Sequence, residues 1–296
     1  KYSRISKKYE RFQMIQLAGG SGFIGSRLAS LFSEEEFQIF DKNPSLAFPG
    51  KVNLGDVRDP TALRQHLAGA GVVVLLAAEH RDDVVPTSLY NEVNVEGARN
   101  VVQVMREHDI RGLIFTSSVA VYGLNRESPK ETDEVNPFGD YGQSKWEAEV
   151  VLRGWWQEAP DERELVIVRP CVVFGEKNRG NVYNLLKQIH SGRFLMIGSG
   201  KNYKSMAYVG NVAAFLKYLL DHPKPGYRLY NYADQPDFNM NELVQLIQKE
   251  LSNKSLSGRI LNSIQLPYEL GKLAGHGCDV LAKITKRKFP ISAIRV

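Results

Sequence analysis

Seven residues do most to restrict what this chain can fold into. Gly19-Gly20-Ser21-Gly22-Phe23-Ile24-Gly25 lies between the apolar run Met14–Ala18 and the helix-like stretch Phe23–Phe32, and it fits both Gly-x-x-Gly-x-x-Gly and Gly-x-Gly-x-x-Gly. Positions without a side chain let the backbone turn sharply from strand into helix. They also let it approach a pyrophosphate, whose charge then rests on the unpaired N–H groups of the helix start. Taken alone, such a loop is equally a structural turn. Asp41 supplies context: it stands at the end of the second apolar run, about 20 residues further on, where a carboxylate accepts hydrogen bonds from adenosine ribose hydroxyls and repels a 2′-phosphate. NAD is therefore favoured over NADP, with adjacent Lys42 as the competing signal and a strand-end turn as the competing reading of Asp41.

Short runs rich in β-branched residues recur at Phe37–Phe40, Val72–Ala77, Leu113–Ser117 and Leu165–Arg169, separated by amphipathic stretches at Thr61–Leu67, Glu92–His108 and Ser144–Trp156. That alternation predicts a doubly wound parallel sheet of the Rossmann type, with right-handed crossovers. After Arg169-Pro170 the alternation stops and Gly- and Lys-rich loops follow around Gly175–Asn181 and Gly198–Lys204. A helix over Val209–Leu220 and a strand over Arg228–Tyr232 return the chain to the sheet, and Asn239–Leu251 and Tyr268–Ile284 predict a smaller, mainly helical C-terminal domain. The expected division is a basic leader over 1–13, a dinucleotide domain over 14–170 resumed at 205–235, and a substrate domain over 171–204 and 236–296.

Net charge is +5, but residues 1–13 alone hold Lys1, Arg4, Lys7, Lys8 and Arg11 against Glu10, so the rest is nearly balanced. No nucleic-acid backbone partner is expected from such a balance. Cys171 and Cys278 have neither the number nor the spacing for a disulfide framework or a zinc site, so no metal is expected. The longest apolar run, Val72–Ala78, is far short of the ~20 residues that cross a bilayer. A cytoplasmic protein without membrane contact is the expectation.

The chemistry points to Thr116-Ser117-Ser118-Val119-Ala120-Val121-Tyr122-Gly123 and Tyr141-Gly142-Gln143-Ser144-Lys145. Tyr141 and Lys145 are four apart and share a helix face. A free phenol, with a pKa of about 10, is only about one part in a thousand ionised at neutrality, and bringing it near 7 takes roughly 4 kcal/mol of preferential phenolate stabilisation. A nearby ammonium and the positive nicotinamide ring supply such stabilisation. Tyr-x-x-x-Lys occurs three times, at Tyr141/Lys145, Tyr183/Lys187 and Tyr268/Lys272. Only the first follows a strand ending in a serine pair, on the carboxyl edge where α/β proteins bind ligands. The other two fit solvated helix faces.

With these segments, Leu76-Ala77-Ala78, Asn94–Asn100, Arg169-Pro170 and Met206–Ala213, the sequence resembles the extended short-chain dehydrogenase/reductase family over nearly its whole length, in its NAD-dependent nucleotide-sugar epimerase/dehydratase branch. The resemblance implies that Tyr141 transfers the proton, that Lys145 lowers its pKa and holds the nicotinamide ribose, and that Ser118, five before Gly123, hydrogen-bonds the reacting sugar oxygen. Cofactor contacts are expected from Gly19, Gly22, Phe23, Ile24, Gly25, Asp41, Lys42, Tyr141 and Lys145; Asp56 and Val57 either frame the adenine, and Leu76, Ala77 and Ala78 either let the cofactor backbone pass closely, or each segment is core and turn. Asn94 is expected to support the site structurally. Asn181 and Lys204 are directed toward the substrate's diphosphate. Lys204 stands where many relatives carry arginine, a point charge in place of a planar fork. His80 either touches sugar or is a surface histidine. Relatives that dehydrate the sugar carry an acidic pair after the catalytic Ser/Thr, whereas Val119-Ala120 stands here. C4 epimerisation of a nucleotide-activated hexose or N-acetylhexosamine through a transient ketone is thus expected. Reduction of a nucleotide 4-keto-6-deoxy sugar and a non-catalytic NAD-binding regulator are the alternatives. A homodimer through the Glu92–His108 and Ser144–Trp156 helices is implied by the resemblance alone.

Overall fold

The structure is a computed structural model that describes residues 14–81, 84–124, 126–192, 194–254 and 264–269. The basic segment 1–13, Lys272, Cys278 and the expected helix beyond Glu269 lie outside these residues. The elements run β1 (Ile15–Ala18), α1 (Phe23–Ala29), β2 (Phe37–Asp41), β3 (Val52–Leu54), α2 (Pro60–His66), β4 (Val72–Leu75), α3 (Ser88–Tyr90), α4 (Gly97–Glu107), β5 (Gly112–Thr116), α5 (Gly139–Gln157), β6 (Glu164–Pro170) and β7 (Val172–Phe174). They continue through α6 (Asn181–His190), β8 (Leu195–Ile197), β9 (Tyr203–Lys204), β10 (Met206–Tyr208), α7 (Val209–Asp221), β11 (Gly226–Tyr232), β12 (Phe238–Asn239), α8 (Met240–Lys254) and β13 (Ile264–Leu266).

The chain divides into two compact units: the first ends at Lys177 and resumes over Ala207–Asp234, and the second takes Asn178–Met206 and continues from Gln235. The first unit holds a seven-stranded sheet in the order β11-β6-β5-β4-β1-β2-β3, with every pairing parallel. Its central strands β1, β4, β5 and β6 read as nearly continuous apolar runs because both faces are buried. Val73, Leu75, Leu113, Phe115, Leu165 and Ile167 face a core shared with Leu63 of α2, Val101 of α4 and Leu152 of α5. Their alternates Val72, Val74, Ile114, Val166 and Val168 face Leu28 of α1 and Val212, Leu216 and Leu219 of α7. Each such fully buried aliphatic side chain contributes roughly 1.5–3 kcal/mol over leaving it exposed.

Strand order reverses between β1 and β4, and the loops after their carboxyl ends define the crevice where doubly wound sheets take ligands. The predicted strand Val72–Ala77 ends at Leu75 because the amides of Leu76 and Ala77 both turn to the Ala18 carbonyl, at 2.8 and 2.9 Å. The predicted helix Ser144–Trp156 begins earlier, at Gly139, so Tyr141 lies in its first turn. The predicted helix Glu92–His108 is interrupted: Asn91–Glu96 is π-helical ahead of α4. Such bulges favour functional sites, and this one contains Asn94.

In the second unit, α6 and α8 pack around Ile189, Met196, Leu243, Val244 and Ile247. Besides the expected helices this unit has two short strand pairs, β9 with β12 and β8 with β13. The stretch that forms α6 lies between the predicted loops, and the sequence reads only its Tyr183 and Lys187 as a solvated helix face. Its inward residues Val182, Leu185 and Ile189 span about two turns, too short a pattern to register as a periodic helix.

Candidate active site

Gly19, at the end of β1, adopts φ +89°, and a Cβ there would meet the Ala77 amide nitrogen at 2.4 Å. Both conditions demand glycine, because the two central strands deliver their chain ends to the same point. A Cβ on Gly25 would meet Gly20 Cα at 2.5 Å, so α1 lies directly on the loop. Gly22 is the extended residue ahead of α1, and Phe23 and Ile24 supply N–H groups without intrahelical acceptors. Asp41, buried at the end of β2, accepts hydrogen bonds from the amides of Ser21 at 3.0 Å and Asn43 at 2.8 Å, which ties the loop to the strand. Lys42 is exposed. Asp56 is held by Arg58, whose guanidinium hydrogen bond draws its pKa below the usual carboxylate range. Val57 is buried, and its carbonyl accepts from Asn100 Nδ2 at 3.0 Å.

This architecture suits a dinucleotide on its own evidence. The cradle at Gly19 admits no side chain, the buried Ser21 hydroxyl has no hydrogen-bond partner among the described residues, and the Asp41 carboxylate, with about four lone-pair sites, retains acceptors beyond its two amides. Gly19→Ala is expected to weaken NAD binding at least tenfold by isothermal titration, since the strained backbone and the blocked approach act together. Asp41→Asn is expected to narrow the ratio of NADP to NAD dissociation constants by removing the charge that repels a 2′-phosphate. An unchanged ratio removes Asp41 from the ribose role.

The second cluster gathers at the carboxyl end of β5. Ser117 donates its amide to the Val168 carbonyl at 2.7 Å. Extended Ser118 then caps a 3-10 turn, Val119–Tyr122, its Oγ accepting the Ala120 amide at 3.1 Å. The start of α5 sits on this turn: a Cβ on Gly142 would lie 2.8 Å from the Ala120 carbonyl oxygen. That close approach brings Tyr141 to Ser118. Burial pushes the Tyr141 phenol up, the Ser118 hydrogen bond opposes it, and Tyr90, with ring centroids 6.4 Å apart, adds to the rise.

Lys145, one turn along, is 2% exposed. Its Nζ donates to the Thr116 carbonyl at 2.7 Å and lies 4.6 Å from the Phe115 ring centroid. Burial lowers its pKa to about 7, opposed by attraction to Glu149. The sequence predicts a phenol lowered by this ammonium. From the protein's own groups alone the phenol is raised, because burial outweighs the Ser118 hydrogen bond; the nicotinamide ring is the other half of the expected lowering.

A lysine whose folded pKa falls from 10.5 to about 7 binds fewer protons folded than unfolded between those values, so its burial cost is full below pH 7 and fades as pH rises toward 10.5. Lys145→Met, similar in length, is therefore expected to be inactive yet more stable than the parent at pH 6, by about 2 kcal/mol after allowing for the orphaned Thr116 carbonyl. The advantage shrinks by pH 10. Denaturant melts at both pH values measure it.

Beneath the serine turn lies a network that the motifs do not announce. Glu149 is fully buried and accepts from Ser117 Oγ at 2.6 Å and, through both oxygens, from Arg169 at 2.9 and 2.6 Å. Arg169 also donates to Tyr122 Oη at 2.7 Å, and that hydroxyl donates to Asn231 Oδ1 at 2.9 Å. The available signal was spacing: Tyr141, Lys145 and Glu149 form one stripe along α5. Asn94 bridges a further pair of segments. Its Nδ2 donates to the Glu79 carbonyl at 3.0 Å and to Ser144 Oγ at 2.8 Å, and its Oδ1 accepts the Glu79 amide at 2.8 Å. It thus fixes the chain after Ala77-Ala78 against α5. His80 is exposed, and its amide donates to Glu79 Oε1 at 3.2 Å.

Asn181 and Lys204 belong to the second unit. Asn181 is the exposed first residue of α6. Lys204 lies on β9 opposite Phe238, with its pKa lowered by burial. Tyr183 and Lys187 are both exposed, and Cys171 is partly buried. Among the described residues no cluster of His, Cys, Asp or Glu is arranged to hold a metal.

A family model described as the NAD dependent epimerase/dehydratase family matches residues 15–233. The chain is 53% identical, over 95% of its length and 84% of the relative's, to the N-acetyl-alpha-D-glucosaminyl-diphospho-ditrans,octacis-undecaprenol 4-epimerase of Escherichia coli O157:H7. It is 30% identical to the UDP-glucose 4-epimerase of Vibrio cholerae, over 92% of this chain and 85% of that one. Among solved structures, MoeE5 in complex with UDP-glucose and NAD superposes with a TM-score of 0.72 at 20% identity, covering 86% of this chain and 85% of that chain, a likeness of fold.

Proposed function

The chain belongs to the NAD dependent epimerase/dehydratase family, and from that premise we propose that it inverts C4 of an N-acetylhexosamine carried as a diphosphate ester of a polyprenol. One observation carries the reaction class. The Tyr141 phenol and the Ser118 hydroxyl meet at the carboxyl edge of the sheet, with Lys145 one turn along, and no carboxylate at Val119-Ala120 is available to expel a C6 hydroxyl. The carrier is inferred from likeness, since the chain resembles the Escherichia coli undecaprenol-linked epimerase far more closely than the Vibrio UDP-glucose enzyme. This refines the nucleotide carrier expected from sequence to a sugar diphosphate whose other half is lipid.

Gly19, Gly22, Phe23, Ile24, Gly25 and Asp41 would hold NAD, with Asp56, Val57 and Leu76-Ala77-Ala78 framing it and Lys145 holding its nicotinamide ribose. NAD held there would supply reversible hydride acceptance at C4, with none consumed over a cycle. Tyr141 removes the O4 proton and later restores it. Ser118 donates a hydrogen bond to O4 and holds it within reach of the phenol. Because burial keeps the resting phenol neutral, proton removal depends on positive charge nearby. Asn181 and Lys204 are assigned to the diphosphate.

No helix among the described residues is long and apolar enough to cross a membrane. A cytoplasmic homodimer completes the proposal. Support for two copies comes from a groove on the outer surface of α4 and α5, lined by Val102, Val150 and Val151 with Arg99 and Arg106. To test the reaction, purified protein is incubated with undecaprenyl-diphosphate-linked N-acetylglucosamine or with UDP-N-acetylglucosamine, and the released sugars are identified by NMR. Interconversion of the lipid-linked substrate without added NADH is expected. Turnover of the UDP sugar alone would overturn the carrier, and stoichiometric NADH consumption would overturn the reaction.

A further inference from the structure

Between Glu176 and Asp221 the sequence contains no aspartate or glutamate, while the arm Asn178–Met206 of the second unit carries Arg179, Lys187, Arg193, Lys201 and Lys204. In the first unit most surface arginines are neutralised locally: Arg58 by Asp56 and Glu92, Arg64 by Glu107, Arg106 by Glu158, and Arg111 by Asp109 and Glu162. Arg179, Lys187 and Lys201 are exposed, and among the described residues none of them has an ion-pair partner.

The helix in this arm is two-faced. Leu185 and Ile189 of α6 turn to the unit's core, and Val182 is buried. On the other side Tyr183 is 41% exposed and Leu186 39% exposed, and Lys187 and His190 are exposed as well. Spacings of three, four and seven residues place these four on one helical face. An aromatic, an aliphatic and a cation presented together, on an arm with no negative charge, match the boundary of an anionic bilayer. There tyrosine settles at headgroup level, leucine enters the acyl edge and basic groups meet phosphates. A second copy of the same face is disfavoured, because it would set Lys187 and its fellow cations against like charge.

We propose that the outward face of α6, with the unpaired cations of its arm, docks the enzyme on an anionic phospholipid surface, the place where a lipid-linked sugar resides. The inference rests on the lipid-carrier proposal above, and its test is separate from turnover. The full chain is co-sedimented with vesicles of phosphatidylglycerol and phosphatidylcholine in equal parts, and with phosphatidylcholine alone. Binding to the first only, weakened by salt, is expected. Removing one cation should cost about fivefold in partitioning, and Tyr183→Ser/Leu186→Ser/Lys187→Glu should cost more than tenfold. The difference between parent and variant isolates α6 from the basic residues 1–13. The variant's fold is checked by NAD binding, and Lys187→Glu alone replaces it should the triple change unfold.

Equal partitioning of parent and variant, or no partitioning on phosphatidylglycerol, overturns the proposal. So does α6-dependent self-association in the absence of vesicles, seen by sedimentation velocity. Turnover of the lipid-linked sugar in detergent is read independently. Docking without turnover would sink the lipid-carrier proposal, and turnover without docking would sink this one.

Discussion

Tyr141→Phe is expected to bind NAD with nearly parental affinity and to lose turnover by about 10²–10⁴-fold, the range a positioned general acid–base supplies. The substitution keeps the ring in its partly buried place beside Tyr90 and removes only the oxygen that meets Ser118. Steady-state rates on the lipid-linked sugar together with NAD titration separate the two effects. Near-parental turnover would refute the assigned base. A parallel loss of NAD affinity would instead make the phenol part of the cofactor's seat.

Glu149→Gln should produce the largest loss of stability of any single change in the site. The carboxylate is fully buried and its partner Arg169 is 1% exposed, so neutralising one member strands a charge with no water to receive it. Breaking such a pair costs about 3–5 kcal/mol, which lowers the melting temperature by about 10 °C for a unit of this size. Replacing both members by apolar residues, Glu149→Leu with Arg169→Met, should recover much of that loss. It should not recover turnover, because Ser117 would lose the acceptor that anchors the serine turn. Thermal melts of the single and double variants decide, and a single variant as stable as the parent would contradict the account.

The parts of the site that the sequence revealed are those whose chemistry is local. Gly19 announces a turn because no other residue fits its backbone, and Tyr141 and Lys145 announce a helix face because they are four apart. Ser118 follows from its place after an apolar strand. The Glu149–Arg169–Tyr122–Asn231 chain escaped notice for the opposite reason: its members come from α5, β6, the 3-10 turn and β11, and only the assembled sheet with α5 on it brings them into contact. The phenol's rise was hidden too, since burial depends on what packs over Tyr141, including Tyr90 of α3. The early start of α5 was missed because Phe138, the residue before it, offers no capping side chain. The second unit was legible in outline, but α6 is short, and its exposed Tyr183 and Lys187 resemble a catalytic pair in spacing only.

The central claim is that a hydride leaves C4 of the sugar and returns to the same carbon without escaping. Epimerisation of substrate deuterated at C4, followed by mass spectrometry and NMR of the product, tests it most directly. The account predicts that deuterium is retained at C4 in the inverted sugar with no NADH released. Washout of the label into solvent, or turnover only when NADH is supplied, would contradict it.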